Sequence, residues 1–163
     1  MALYLDTNVF YHAYCPIEDA SKVDWLFSQV HPDFPAITSE WSLIEMFRAF
    51  KKQVNLGTIS EKNAEIAIDF FLSDIGEMVK KKVLILVPVS KSLIITSREL
   101  IFGYNLYAAD ALHATTALKL KTRAFISFDS DFKANLGDMP TVNPSSQDFK
   151  SLIRKILLKK SAI

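Results

Sequence analysis

A chain of 163 residues with 19 basic and 18 acidic side chains, formally +1, is sized for one domain around a single substantial core, and it lacks the basic coat of a protein that grips duplex nucleic acid without specificity. Cys15 is the only cysteine, which excludes a disulfide framework and a cysteine-built zinc site and points to a reducing, cytoplasmic setting. There is no leader pattern and no apolar run near the roughly 20 residues that span a bilayer, so a soluble protein is expected. Half of the residues are hydrophobic and 12 are Phe, an apolar supply whose natural outlet is self-association.

In chain order, Leu3-Tyr4-Leu5 is too short for a helix and reads as a strand. It stops abruptly at Asp6-Thr7-Asn8, residues that break a ladder and open a turn or cap a helix. A carboxylate at a strand's carboxyl end sits where ligands bind in parallel α/β sheets; the same Asp6, or Thr7, also suits a plain cap on the helix Val9 to Tyr14. A second helix is expected from about Ser21 to Val30, capped by Asp19 or Ser21. Ala36 to Thr38 is a second strand, with Ser39 as N-cap of a helix running to about Gln53. In that helix Ile44, Phe47 and Phe50/Lys51 mark one face, and Trp41, Glu45 and Arg48 a neighbouring stripe, which puts Glu45 at the border of the core. An amphipathic helix from Glu61 to Val79 turns Ala64, Ile68, Phe71, Leu72 and Ile75 inward, and Lys80, Lys81 and Lys82 complement its C-terminal dipole.

Val83 to Val87 is an unbroken apolar run ending at Pro88, the pattern of a parallel strand covered on both faces. A helix follows from Ser90 or Ser92 to Phe102, ended by Gly103. Residues 107 to 118 are apolar nearly all round, the mark of a central, closely packed helix. Ala124 to Ser127 is a short strand delivering Asp129 and Asp131 as the first strand delivers Asp6. After a Pro/Asn/Ser loop near Asn143 to Ser146, a basic helix from Phe149 to Lys160 has Leu152, Ile153, Ile156 and Leu157 as its apolar side. The expectation is one domain over 1–163, a three-layer α/β/α fold on a central parallel sheet of four or five strands, with 147–163 as a basic helical appendage.

Four acidic positions stand out. Asp6 and Asp129/Asp131 follow strands, Glu45 lies on a half-buried stripe, and Asp110 interrupts an apolar helix with no Lys or Arg within a turn. A buried carboxylate costs several kcal/mol unless it is paired or bound to a metal. Asp110 is therefore either directed at a metal or the N-cap of a helix beginning at Ala111. Glu45 could equally be a solvated residue beside Arg48, and Asp129-Ser130-Asp131 a simple turn.

Four segments, in this order, resemble the motifs of PIN-domain nucleases, and among them the small single-domain ribonucleases typified by VapC toxins. They are Asp6-Thr7-Asn8-Val9; Ser39 with Glu45; Ala109-Asp110-Ala111-Leu112-His113-Ala114; and Ser127-Phe128-Asp129-Ser130-Asp131-Phe132. The likeness weakens over residues 55–82 and after Pro140. The resemblance implies a PIN-like fold with Asp6, Glu45, Asp110 and Asp129 as the metal-binding, catalytic acids, Asp131 as rival or partner of Asp129, and Thr7 or Asn8 supporting Asp6. It also implies RNA as substrate, agrees with a homodimer, and suggests an antitoxin protein as partner.

The residue types suit that chemistry. Mg²⁺ or Mn²⁺ takes oxygen ligands, stabilises charge on a phosphodiester and generates a nucleophile from water. His12, His31 and His113 have no zinc-hydrolase spacing, and His113 reads as a satisfied core or rim histidine. No Gly-rich phosphate cradle is present. The competing expectations are a phosphatase with Asp6 as nucleophile, which would want an acid at Asn8, and a PIN-like binding module without turnover. Arg48, Lys51 and Lys52 are candidate phosphate contacts or a solvated basic flank.

Overall fold

The computed structural model describes residues 1–15, 19–130, 132 and 136–158. Its centre is a five-stranded sheet in the order β3-β2-β1-β4-β5, formed by β1 (Leu3–Leu5), β2 (Ala36–Ser39), β3 (Leu84–Val87), β4 (Phe125–Ile126) and β5 (Thr141–Val142). Every pairing is parallel, with Tyr4 of β1 opposite Ile37 on one side and Phe125 on the other. The chain winds outward from β1 through β2 to β3, then returns to lay β4 and β5 on the opposite side. The winding reverses between β1 and β4, and open α/β sheets place their ligand crevice outside the carboxyl ends of the strands at such a point. Asp6 and Ser127 each follow directly from one of these two strands.

Alternation along β1 divides the core into two. Leu3 and Leu5 face a cluster supplied by α1 (Thr7–Tyr14), α2 (Ala20–Phe27), α3 (Trp41–Asn55), α4 (Glu61–Lys80) and α7 (Phe149–Leu158). Tyr4 faces the other cluster, under α5 (Lys91–Tyr104) and α6 (Ala108–Lys119). This is the expected three-layer α/β/α arrangement. Ala111, Ala114 and Ala117 are fully buried, and side chains that small let α6 lie close on the sheet and bring its first turn to the crevice.

Several local expectations are corrected. Val83 to Val87 forms an edge strand, β3, whose Ile85 is 45% exposed, so the run is not covered on both faces; a short apolar run does not reveal its place in the sheet. On α3 the buried residues are Ser42, Met46 and Phe50, one stripe at a spacing of four, while Ile44 is 55% exposed. Leu72 of α4 is likewise exposed. Helix α5 runs through Gly103 and ends at Asn105, which takes the left-handed conformation at φ 55°. The Pro/Asn/Ser loop is preceded by an unanticipated strand, β5, and Phe149 and Ile153 of α7 are fully buried in the first core.

Candidate functional site

Asp6 both stands at the carboxyl end of β1 and caps α1. Its N–H continues the sheet by donating to Ile126 O at 3.0 Å, its backbone is extended, and it occupies the N-cap of α1. Oδ1 accepts from Thr7 N at 2.7 Å, while Oδ2 accepts from Asn8 Nδ2 at 2.8 Å and from Ser127 Oγ at 2.6 Å. Burial pushes the Asp6 carboxyl above its ordinary range despite these donors and the nearby imidazole of His113. Asn8 reaches across the crevice, donating to Ser127 Oγ at 2.9 Å and accepting from Phe128 N at 3.0 Å. Ser127 Oγ also accepts from Asp129 N at 2.9 Å. The Asp6-Thr7-Asn8 turn and the loop after β4 are thereby stitched together across some 120 residues of sequence.

Glu45 enters from α3, half-buried. Its Oε2 accepts from Thr7 Oγ1 and from His113 Nε2, the latter at 2.7 Å. Thr7 therefore serves Asp6 through its backbone N–H and Glu45 through its hydroxyl. Burial alone would raise the Glu45 carboxyl, but the His113 bond and charge and the Thr7 hydroxyl outweigh it and hold the group below its ordinary range. His113 is fully buried, with Nδ1 2.7 Å from the Tyr4 hydroxyl. Burial opposes its charge, yet Glu45, Asp6 and Asp110 together lift its pKa above the ordinary imidazole value.

Asp110 lies in the first turn of α6, and Tyr107 rather than Asp110 holds the N-cap position, because the helix starts at Ala108. The capping role, one of two readings of Asp110, is excluded. Its half-buried carboxyl is pushed up to about 7, first by burial and then by the negative charges of Asp6, Asp129 and Glu45. All four sequence-selected acids therefore share one electric field. Asp131 lies outside the described residues. Arg48, Lys51 and Lys52 are exposed on α3, and Lys51 pairs with Glu61 at 2.7 Å.

The acids offer only oxygen donors, the set a hard divalent cation prefers, and a cation among them would relieve their repulsion. In that sense the residues fit a metal, although among the described residues no three His, Cys, Asp or Glu side chains already stand close enough to hold one. Sequence reasoning missed Ser127 and His113 as site residues. Ser127 carried a signal, a hydroxyl leaving a strand two residues before an acid; His113 carried only its spacing of three from Asp110.

The PIN domain family model matches residues 3–135, most of the chain. The protein belongs to the PIN domain family. A search of curated proteins finds no match. Among solved structures, the PIN fold here resembles VapBC2 of Rickettsia felis bound to a DNA fragment from its promoter, at 18% identity and TM-score 0.59, covering 88% of this chain and 98% of that one. It also resembles VapC20 of Mycobacterium tuberculosis, a toxin that cleaves the sarcin-ricin loop, at 16% identity and TM-score 0.61, covering 80% and 92%. VapBC-1 of nontypeable Haemophilus influenzae follows at 14% identity and TM-score 0.57, covering 90% and 100%. At these identities the likeness is one of fold.

The elevated Asp110 has a thermodynamic consequence. Between the ordinary 3.8 and about 7 the folded metal-free protein keeps a proton that the unfolded chain releases, so this group's contribution to stability is lost as pH rises through that window. The raised His113 acts in the same direction at the upper end, and the lowered Glu45 acts oppositely, only in acid. With the partial exposure of Asp110 discounting the shift, the effect is on the order of 1–3 kcal/mol. Asp110→Asn is expected to raise the melting temperature in EDTA at pH 8, with the gain shrinking at pH 5. A gain of equal size at both pH values, or a loss at pH 8, would contradict the shared field.

Proposed function

We propose that this PIN-domain protein is a Mg²⁺- or Mn²⁺-dependent endoribonuclease, acting in the cytoplasm as the toxin of a toxin-antitoxin pair. The observation that carries the reading is the Asp110 carboxyl held near neutrality at about 7, where Asp6, Asp129 and Glu45 act on it at the carboxyl edge of a parallel sheet. A cluster of carboxylates that is costly to the empty fold is the arrangement expected where a cation or a reaction uses its charge. Asp6, Glu45, Asp110 and Asp129 would hold the metal, with Asp131 competing with or joining Asp129. Bound there, the ion supplies charge stabilisation for the phosphodiester and a water acidic enough to attack at neutral pH. The chain's own part is orientation. Asn8 and Ser127 fix Asp6 on Oδ2, Thr7 and His113 fix Glu45 on Oε2, and the buried floor of Tyr4 and His113 keeps solvent from the back of the site. Arg48 and Lys52, exposed on the helix that carries Glu45, with Lys51 beside them, are proposed to meet RNA phosphates. RNA as the substrate draws support from the sarcin-ricin-loop cleavage of VapC20, and an antitoxin partner from the VapBC complexes. We take 1–163 as one nuclease domain, with the basic segment 147–163 that contains α7 (Phe149–Leu158) as its appendage.

Labelled single-stranded RNA incubated with Mg²⁺ or Mn²⁺ is expected to be cut to products bearing 5′-phosphate and 3′-hydroxyl. EDTA should stop the reaction, and Asp6→Asn should slow it by about 100-fold or more. Cleavage that survives EDTA, or products ending in 2′,3′-cyclic phosphate, would overturn the mechanism.

A homodimer is part of the same reading. Ile94, Ile95 and Phe102 of α5 are 56%, 61% and 80% exposed, and Tyr107 is 75% exposed beside them in sequence, an apolar excess that a second copy would cover. Among the described residues no helix is long and apolar enough to cross a membrane. Light scattering at micromolar concentration is expected to give twice the chain mass, and a small open reading frame is expected beside the gene. A monomer mass removes the dimer, and the lack of such a neighbour removes the toxin assignment.

A further inference from the structure

A glutamate has three side-chain torsions, and a Glu on a half-buried helix face is free to sweep through many orientations unless something holds it. Glu45 is held on one oxygen only. Thr7 Oγ1 and His113 Nε2 both donate to Oε2, and Oε1 is left without a hydrogen bond among the described residues. His113 is itself fixed from behind. Its Nδ1 lies 2.7 Å from the Tyr4 hydroxyl, both side chains are fully buried, and the Tyr4 ring stacks on Phe125 with centroids 5.2 Å apart and planes 6° from parallel. Tyr4 belongs to the fully buried central strand and His113 to the alanine-lined helix, whose residues 111 to 117 are all buried.

We infer that Tyr4 and His113 are positioning residues that aim the Glu45 carboxylate, keeping Oε2 occupied and presenting Oε1 to a divalent cation. The inference rests on the metal-carboxylate reading above. Its logic lies in which ring nitrogen carries the proton. With the imidazole neutral, the Tyr4 O–H donates to Nδ1, which leaves the proton on Nε2 and points an N–H at Glu45; with the imidazole charged, both nitrogens carry protons and Nε2 again donates. The remaining tautomer would set an Nε2 lone pair against a carboxylate oxygen at 2.7 Å. The hydroxyl of a strand residue behind the site, able to donate to the neutral ring or accept from the charged one, thus holds the ring in the orientation in which Nε2 serves the acid in front of it, the usual arrangement of a group one shell removed from a metal. Thr7 adds a second donor to the same oxygen, so the carboxylate can neither rotate nor exchange its oxygens without breaking two bonds.

The test combines a metal-free and a metal-binding measurement on the full chain. In EDTA, ¹⁵N NMR of the His113 ring is expected to show a protonated Nε2. Mn²⁺ affinity, read from the EPR signal of the free ion, is expected to fall about 10–100-fold in Tyr4→Phe and His113→Leu. His113→Gln, whose amide N–H can replace the donor to Glu45, should recover affinity to within a few-fold of the native protein. A purely structural role predicts the reverse, lower melting temperatures in EDTA with unchanged Mn²⁺ affinity, and that result overturns the inference, as does a metal-free ring protonated on Nδ1 alone. Tyr4→Phe keeps the stacked ring, so it provides the answer even where His113→Leu does not fold. Native protein that takes up no Mn²⁺ overturns the metal reading and this inference with it; native protein that binds Mn²⁺ no better than the variants overturns the positioning alone.

Discussion

Carboxylates gathered in one poorly hydrated crevice repel one another, and the architecture around this site can be understood as the means of tolerating that repulsion. Asp6 is buried with both oxygens engaged by donors, Glu45 with one. Asp110, for which burial and the charges of Asp6, Asp129 and Glu45 outweigh the relief given by His113, holds a proton near neutral pH instead. The polar residues are thus divided between the acids. Asn8 and Ser127 serve Asp6, Thr7 and His113 serve Glu45, and the backbone N–H of Asp129 is secured by Ser127. Each donor is bonded to at least two other groups, so the acids are supported by one connected network whose members orient one another.

The sheet makes this network possible at small cost in chain length. Parallel strands release their carboxyl ends on one edge, and the reversal of winding between β1 and β4 separates the two loops enough to leave a crevice without separating them beyond hydrogen-bond reach. Asn8 bridges the gap directly. On the far face the small side chains of Ala111, Ala114 and Ala117 bring α6 against Tyr4 and Phe125, which sets the depth at which Asp110 and His113 meet the edge. Core packing and site geometry are therefore one problem here, since His113 belongs to both.

What was legible in the sequence was what local physics decides. A three-residue strand ending in Asp6, a second strand ending before Asp129, and a carboxylate lodged in an alanine-rich helix are patterns that periodicity and burial costs expose, and the parallel α/β fold follows from them. The standing of Val83 to Val87 was hidden, because a strand's place in the sheet depends on partners elsewhere in the chain; so was the exposure of Ile44, since α3 carries two apolar stripes and only packing selects the one with Met46 and Phe50. The largest omission concerned His113 and Ser127. Their bonds to Tyr4 and Asp6 span 109 and 121 residues, and no local pattern announces a hydrogen-bond partner that distant. Asp110 was left open between cap and site until the start of α6 at Ala108 removed the cap.

The central claim is that Asp6, Glu45, Asp110 and Asp129 behave as one electrostatic unit, and a double-mutant cycle on the metal-free protein addresses it without reference to substrate or ion. Folding free energies in EDTA at pH 8 would be measured by urea titration for the native chain, Asp110→Asn, Asp129→Asn and the double variant. Because removing either charge relieves part of the same repulsion, the two gains should fall short of adding, with a coupling on the order of 0.5 kcal/mol or more. Additivity within about 0.3 kcal/mol would mean that the two carboxylates do not sense each other, and the account of a shared site would be wrong.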